Sequence, residues 1–285
     1  SSAASDVYKR QDATSYDFYV QAVCDSGDLS DYRLFTFFTP FVNDTCDGVI
    51  DLATLTSPYA GTTVGATNDF GGLDCLNATA ASPDLIYSIL VPAGDILTIG
   101  QNSNDYDSEF RVAYGDSCPG DIVIDCIDDP DVSTVTWTND TGADQTVYWI
   151  QSAYSTGSGA FEIFWNVETP TFDVTFSVDM SNETVSANGV FVGGGVLGSA
   201  TEHQLFDDDG DGIYSVTIEL EQGTTGNYIF LNGPADGGDW GAKEDLSGQE
   251  CADTANWNDR ILDPITEDTT ILFCFGECSA ECPVD

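Results

Sequence analysis

Apolar and polar residues alternate with a period of two along most of this chain. The runs are three to nine residues long and mostly end at Gly, Pro, Asp or Asn. Residues 15–40 hold two such runs. Tyr16, Phe18, Val20 and Ala22 share one face of the first, and the second, from Arg33, stops at Pro40. A hairpin of two strands is marginal in water, so the pattern predicts that missing strands are supplied upstream or by another copy of the chain. Residues 46–167 predict eight short strands, at 62–66, 84–91, 96–99, 110–114, 122–124, 132–138, 146–150 and 161–165. Turn signals separate them and no helical period intervenes, which predicts a β-sandwich. Pro170 keeps a short connection extended. Six further alternating runs come after it, at 172–180, 189–193, 203–206, 213–220, 227–232 and 270–275. The expected fold class is therefore all-β: tandem antiparallel sandwiches, jelly-roll or Ig-like, preceded by a two-stranded remnant. The expected domains are a tail at 1–14, a hairpin at 15–45 and sandwiches at 46–168 and 169–285.

Charge changes the picture most. The chain carries 49 acidic and 6 basic residues, a formal net charge of −43. Binding nucleic acid by phosphate neutralisation needs clustered Lys and Arg, and anionic membrane surfaces would repel such a chain. Divalent cations and a salty or calcium-containing medium are its natural complement. No run of 18 or more apolar residues is present, and the expected location is extracellular, secreted or cell-surface. Residues 1–14 differ in character from the rest of the chain, and Val7 to Gln11 resembles a translated sequencing-adapter remnant.

Nine cysteines suit an oxidising compartment. Cys118 and Cys126 flank one hairpin and are expected to pair, as are Cys251 and Cys274; Cys24, Cys46 and Cys75 compete for one further bond, with Cys24–Cys46 the pair chosen. A zinc site from Cys251, Cys274, Cys278 and Cys282 is the alternative, at a spacing unlike ordinary zinc knuckles. The odd number leaves one thiol free or paired outside the chain. Asn43, Asn77, Asn139 and Asn182 begin N-x-S/T sequons among turn residues and are candidate glycosylation sites.

The sharpest chemical motif is Asp207-x-Asp209-x-Asp211-Gly212, leading into Ile213. Alternate carboxylates in a tight loop converge on a point, and with the Ile213 carbonyl they form a hard-oxygen set suited to Ca²⁺. The motif is only the front half of an EF-hand loop, because the twelfth position is Ile218 and the residues after the motif have a strand pattern. An Asp/Gly turn without an ion is the alternative. Asp105, Asp107 and the acidic run at 125–131 are a second calcium candidate, against plain solvated turns. Trp240, among glycines, and Trp257, beside Asn258, are candidates for stacking on sugar rings, with Lys243 and Asn258 as hydrogen-bonding neighbours. Both rings could equally cover the end of the sandwich. Arg260, amid many carboxylates, reads as a structural ion-pair hub. The only histidine, His203, lies within an alternating strand. No H-E-x-x-H, phosphate-cradling or dinucleotide motif occurs, and catalysis is not expected.

Three resemblances extend this reading. Tyr16-x-Phe18-Tyr19-Val20-Gln21-Ala22-Val23 with Phe37-x-Thr39-Pro40 resembles the last two strands of a fibronectin type III domain. Cys46-Asp47-Gly48-Val49-Ile50-Asp51-Leu52, Asp84-Leu85-Ile86-Tyr87, the Pro119-Gly120 turn and Gly159-Ala160-Phe161-Glu162-Ile163 resemble pre-peptidase C-terminal domains, which are non-catalytic appendages. Val174-x-Phe176-x-Val178-Asp179-Met180, Val190-Phe191-Val192-Gly193, the acidic turn and Tyr228-Ile229-Phe230-Leu231-Asn232-Gly233 resemble starch-binding-type carbohydrate-binding modules. Strings of such modules are similar to secreted multi-domain proteins of Bacteroidota. Two functions are expected on these grounds. The first is an extracellular structural or adhesive protein, a filament subunit joined to other copies by β-strand complementation and stiffened by calcium and disulfides. The alternative is the non-catalytic, polysaccharide-holding tail of a secreted hydrolase.

Overall fold

The computed structural model describes residues 15–21, 23, 29–38, 41–74, 76 and 82–283. Cys24, Cys75, Asn77 and the 1–14 tail lie outside the described residues. The chain divides into two compact units between Glu168 and Thr169. Strands dominate, and the helical turns among the described residues are short 3₁₀ segments.

In the first unit, β1 (Ser15–Val20) and β2 (Arg33–Phe38) form a separate antiparallel hairpin, with Phe18 opposite Phe35 and Tyr19 opposite Leu34. The sandwich after it comprises β3 (Ile50–Asp51), β4 (Tyr59–Thr62), β5 (Leu85–Val91), β6 (Ile96–Asn104), β7 (Ser108–Tyr114), β8 (Ile122–Ile127), β9 (Thr134–Thr138), β10 (Gln145–Ala153) and β11 (Ala160–Glu168). One sheet has the order β3-β5-β10-β7-β8 and the other β4-β11-β6-β9. Inward residues of alternate parity, among them Tyr87, Val91, Leu97, Ile99, Val147 and Phe161, are fully or almost fully buried. Each such side chain contributes roughly 1.5–3 kcal/mol of burial free energy. Phe110 and Trp149 stack at 4.0 Å between ring centroids near the centre. β6 runs five residues past the expected Ile99 through a polar end in which Gln101 is buried and paired while Asn102 and Ser103 are exposed. Gln101 donates to the Ser108 hydroxyl (2.8 Å) and accepts from Gln151 (2.8 Å). Gln151 in turn accepts from the Trp149 indole (3.1 Å). A buried amide is stable only with such partners, so alternation of apolar residues alone could not reveal this strand.

The second unit contains β12 (Thr171–Asp179), β13 (Val190–Gly193), β14 (His203–Leu205), β15 (Ile213–Glu221), β16 (Gly226–Asn232), β17 (Ala252–Asp253), β18 (Asp259–Leu262) and β19 (Thr269–Cys274). A three-stranded sheet, β15-β12-β19, faces a five-stranded one, β14-β13-β16-β18-β17. Val174, Phe176, Val178, Val190, Val192, Tyr228 and Phe230 form the core between them. The sheets are mostly antiparallel, as expected, with two parallel pairings among the described residues. β19 lies parallel to β12, Val174 to Thr269 through Asp179 to Cys274, and the short β3 is parallel to β5.

Three expected disulfide pairings are replaced. Cys118 joins Cys46 rather than Cys126, with Cα atoms 5.8 Å apart. Cys126 lies opposite Arg111, four residues along β8 from Ile122, whereas Cys118 sits in the turn beyond that end. At about 3.3 Å per residue the strand alone separates the two by roughly 13 Å, too far for a bridge. The same bond replaces Cys24–Cys46. Cys126 is itself disulfide-bonded. Cys251 joins Cys278, and Cys274 joins Cys282, in place of Cys251–Cys274 and of the zinc alternative. The chain doubles back after β19, where the Cys274 N–H donates to the Ser279 carbonyl (2.8 Å), and this fold brings Cys282 to Cys274.

Two sequons are also corrected. Asn139 has no exposed surface, and its amide donates to the carbonyls of Val91, Pro92 and Ala143. Asn43 is 2% exposed and donates to the Ile86 carbonyl. Both are internal staples of their loops, closed to a glycan in the folded chain. Asn182 is exposed and donates to the Pro283 carbonyl.

Candidate functional site

The second unit carries a cleft of about 330 Å³ lined by Gly194, Gly195, Trp240, Lys243, Trp257 and Asp259. Each wall has a local cause. After β13, Gly194 and Gly195 take φ of 87° and 48°, the left-handed region that glycine enters without penalty. A Cβ on Gly195 would lie 2.1 Å from the Asn227 carbonyl oxygen, and one on Gly194 would face the Trp240 ring and Asp259 Oδ2. The turn is therefore pressed against β16 while leaving the cleft floor bare. Trp240 opens a 3₁₀ turn whose first residues are capped by Asp239, which accepts from Gly241 N–H.

Trp257 sits on a turn built by Asp253. That carboxylate accepts from the Ala255 N–H and from the side-chain amides of Asn256 and Asn227. The Asn256 and Asn227 bonds, followed by that of Ala255, hold its pKa below the usual carboxylate value. Trp257 and Asn258 both have positive φ, 51° and 60°. For residues other than glycine this backbone persists only where surroundings enforce it. Lys243 is one enforcer, since its ammonium donates to the Trp257 carbonyl (2.6 Å) and to Asp259 Oδ1 (2.8 Å). The result is an indole that is 80% exposed in the same cleft as Trp240, which is 40% exposed.

The structure thus brings together Trp240, Trp257 and Lys243. Asn258 does not join them, because its amide turns to the Ser247 hydroxyl (3.3 Å), away from the lining. Asp259 and the two glycines were not anticipated. The one available signal was Asp259 beside Arg260 at the start of a strand, whose adjacent side chains must face opposite ways.

Arg260 is the hub its surroundings suggested. It is 1% exposed and bidentate on Glu244, Nε to Oε1 at 2.8 Å and Nη2 to Oε2 at 2.7 Å.

The acidic turn precedes β15. Asp207 Oδ1 accepts the N–H groups of Gly210 and Asp211, Oδ2 accepts that of Gly212, and Asp211 accepts that of Ile213. Asp207, Asp209 and Asp211 each place an oxygen within 4.8 Å of the others. A trio this close could hold a metal ion, and exposed acidic groups also occur without one. The second calcium candidate fares differently. Asp105 accepts Ala160 N–H, and Asp131 accepts Ser108 N–H, so both pin loops. Among the described residues, the Asp207 trio is the only group of three such ligands close enough for a metal.

Compared with protein-family models, curated proteins and solved structures, the chain matches none. Among the described residues no helix is long and apolar enough to cross a membrane.

Proposed function

We propose that the protein is an extracellular, non-catalytic adhesive protein whose second unit holds a neutral sugar ring in the Trp240–Trp257 cleft. One observation carries this reading: two partly bare indoles share a cleft with a hydrogen-bonding pair, Lys243 and Asp259, at its side. The C–H face of a pyranose stacks on an aromatic face, and its hydroxyls meet donors and acceptors such as these. The lining supplies a single carboxylate, already paired with Lys243, whereas glycoside hydrolysis in its usual forms employs two. That balance favours binding over turnover. The disulfides Cys46–Cys118, Cys251–Cys278 and Cys274–Cys282 favour an oxidising, extracellular setting. In the same reading the Asp207 turn takes Ca²⁺ and stiffens the entry to β15.

Affinity electrophoresis through gels containing soluble starch or a soluble β-glucan tests the proposal. One of these gels should retard the parent, and Trp257→Ala should run as in a plain gel. Unretarded migration of the parent in both would overturn it. The polysaccharide-holding tail of a hydrolase is the same chemistry in a longer chain.

A second reading, a filament of copies joined by strand complementation, is favoured by the hairpin. Phe18, Tyr19, Leu34 and Phe35 are all more than half exposed on its two faces. Addition of these strands to another copy would cover them, and such a head-to-tail contact propagates. Regular fibres of the purified chain under the electron microscope would support this reading, and monodisperse particles would remove it.

A further inference from the structure

Residues 243–244 and 259–260 pair in two consecutive rungs. On the cleft side, Lys243 Nζ meets Asp259 Oδ1 at 2.8 Å. On the core side, Glu244 takes the two-pronged grip of Arg260. Lys243 has an extended backbone (φ −70°, ψ 151°), and Asp259 and Arg260 open β18. Successive side chains of an extended chain point to opposite faces. The buried rung therefore shares its backbone with the rung that faces the ligand, and a shift in one displaces the other.

The buried rung is anchored on every side. Glu244 is 1% exposed, and besides the Arg260 bonds it accepts the N–H groups of Phe230 (3.1 Å) and Gly276 (2.9 Å). Its own N–H donates to the Phe230 carbonyl, which ties it to β16. Arg260 donates to the carbonyls of Glu277 (2.9 Å) and Cys274 (3.4 Å) and lies 4.3 Å over the Phe273 ring. The turn it grips is closed by Cys251–Cys278 and Cys274–Cys282. Stability alone does not call for such a pair. Desolvating two charges is expensive, and well-packed apolar residues of similar volume are often as stable or more so. Fixed donors and acceptors supply direction, which apolar side chains lack.

We infer that Glu244 and Arg260 are positioning residues for the cleft. From beneath, they set the spacing of Lys243, Asp259 and the strained Trp257 turn. This inference rests on the sugar-binding reading. It predicts that the cleft's affinity depends on two side chains that touch no ligand.

The test compares the full chain with Glu244→Gln and with the double variant Glu244→Leu/Arg260→Met. Retardation in the glucan gel gives affinity. The tryptophan indole N–H resonances in ¹⁵N–¹H spectra report on the cleft without ligand, with Trp257→Phe and Trp240→Phe supplying assignments. Both variants should lose affinity at least tenfold. The Trp240 and Trp257 resonances should shift while those of Trp137, Trp149 and Trp165 in the first unit stay in place. The double variant should also melt close to the parent, which separates positioning from stability. Parental affinity with unmoved Trp240 and Trp257 resonances in the folded double variant would overturn the inference. Should neither glucan retard the parent, the sugar reading fails, and the indole resonances alone decide whether the pair positions the cleft. Should the double variant not fold, Glu244→Gln below its melting temperature gives the same two readouts.

Discussion

Asp84 caps the turn that begins at Asp69 and Phe70. Its carboxylate oxygens accept the N–H groups of Asp69 (3.1 Å) and Phe70 (3.0 Å), and it has no exposed surface. Burial pushes its pKa up to about 7 against the pull of those two bonds, and the charges of Asp69 and Asp44 raise it further. Asp44 is raised as well, chiefly by burial. A carboxyl whose folded pKa exceeds its unfolded value of about 3.9 makes the folded state bind the extra proton. Its contribution is therefore present at low pH and lost as pH rises toward 7. Urea unfolding of the chain should give a higher midpoint at pH 5.5 than at pH 8. Asp84→Asn should flatten that difference, and a parent midpoint that does not change over this range would contradict the assignment.

At the acidic turn, Asp209→Ala should leave the fold intact and abolish any calcium-dependent gain in melting temperature. Ligand that binds only the folded state stabilises by about 2.7 kcal/mol at a hundredfold excess over Kd. A chelator should therefore bring the parent down to the variant by a few degrees. Identical melting of both proteins with and without chelator would remove the ion.

Cys46 and Cys118 lie 72 residues apart in sequence. Closing a loop of that size constrains the unfolded chain by roughly 4 kcal/mol on the chain-entropy account. Replacing both cysteines by serine should lower stability by about 2–4 kcal/mol, measured by denaturant unfolding. Mass-spectrometric mapping of the unreduced parent should recover a Cys46–Cys118 peptide and no Cys118–Cys126 peptide.

Asn139→Ala should destabilise the first unit by about 1–3 kcal/mol. It removes the amide donor shared by the carbonyls of Val91, Pro92 and Ala143, of which Pro92 keeps the Asp95 N–H and Ala143 keeps the Thr141 hydroxyl. Near-parental unfolding would mean that water takes over the role of the amide.

How far the sequence was readable depended on the range of the interaction. Period-two alternation exposed the strands because it reflects which face of each strand is wet, a local property. Trp240, Trp257 and Lys243 were nameable as neighbours because an aromatic ring among glycines and a rare lysine stand out in this chain, and Arg260 because a lone guanidinium among carboxylates has few other uses. Long-range partner choice was not readable. Cys118 meets Cys46 through the way a turn folds onto a distant segment, and alternation is silent about that. The parallel course of β19 beside β12 is likewise a matter of connection. The sequons at Asn43 and Asn139 failed for a related reason: a polar residue in a turn can serve the interior if carbonyls await it there. Asp259 was missed because its role depends on facing away from Arg260, which needs the strand start to be known.

The two bridges near the C-terminus overlap in sequence, since Cys274 lies within the span of Cys251–Cys278 and Cys278 within that of Cys274–Cys282. Every peptide bond from Cys251 to Cys282 is therefore spanned by at least one sulfur–sulfur link. A single protease cut anywhere in that stretch, including the turn that displays Trp257, leaves both pieces covalently tied. Such a nick costs one amide bond and does not release a fragment.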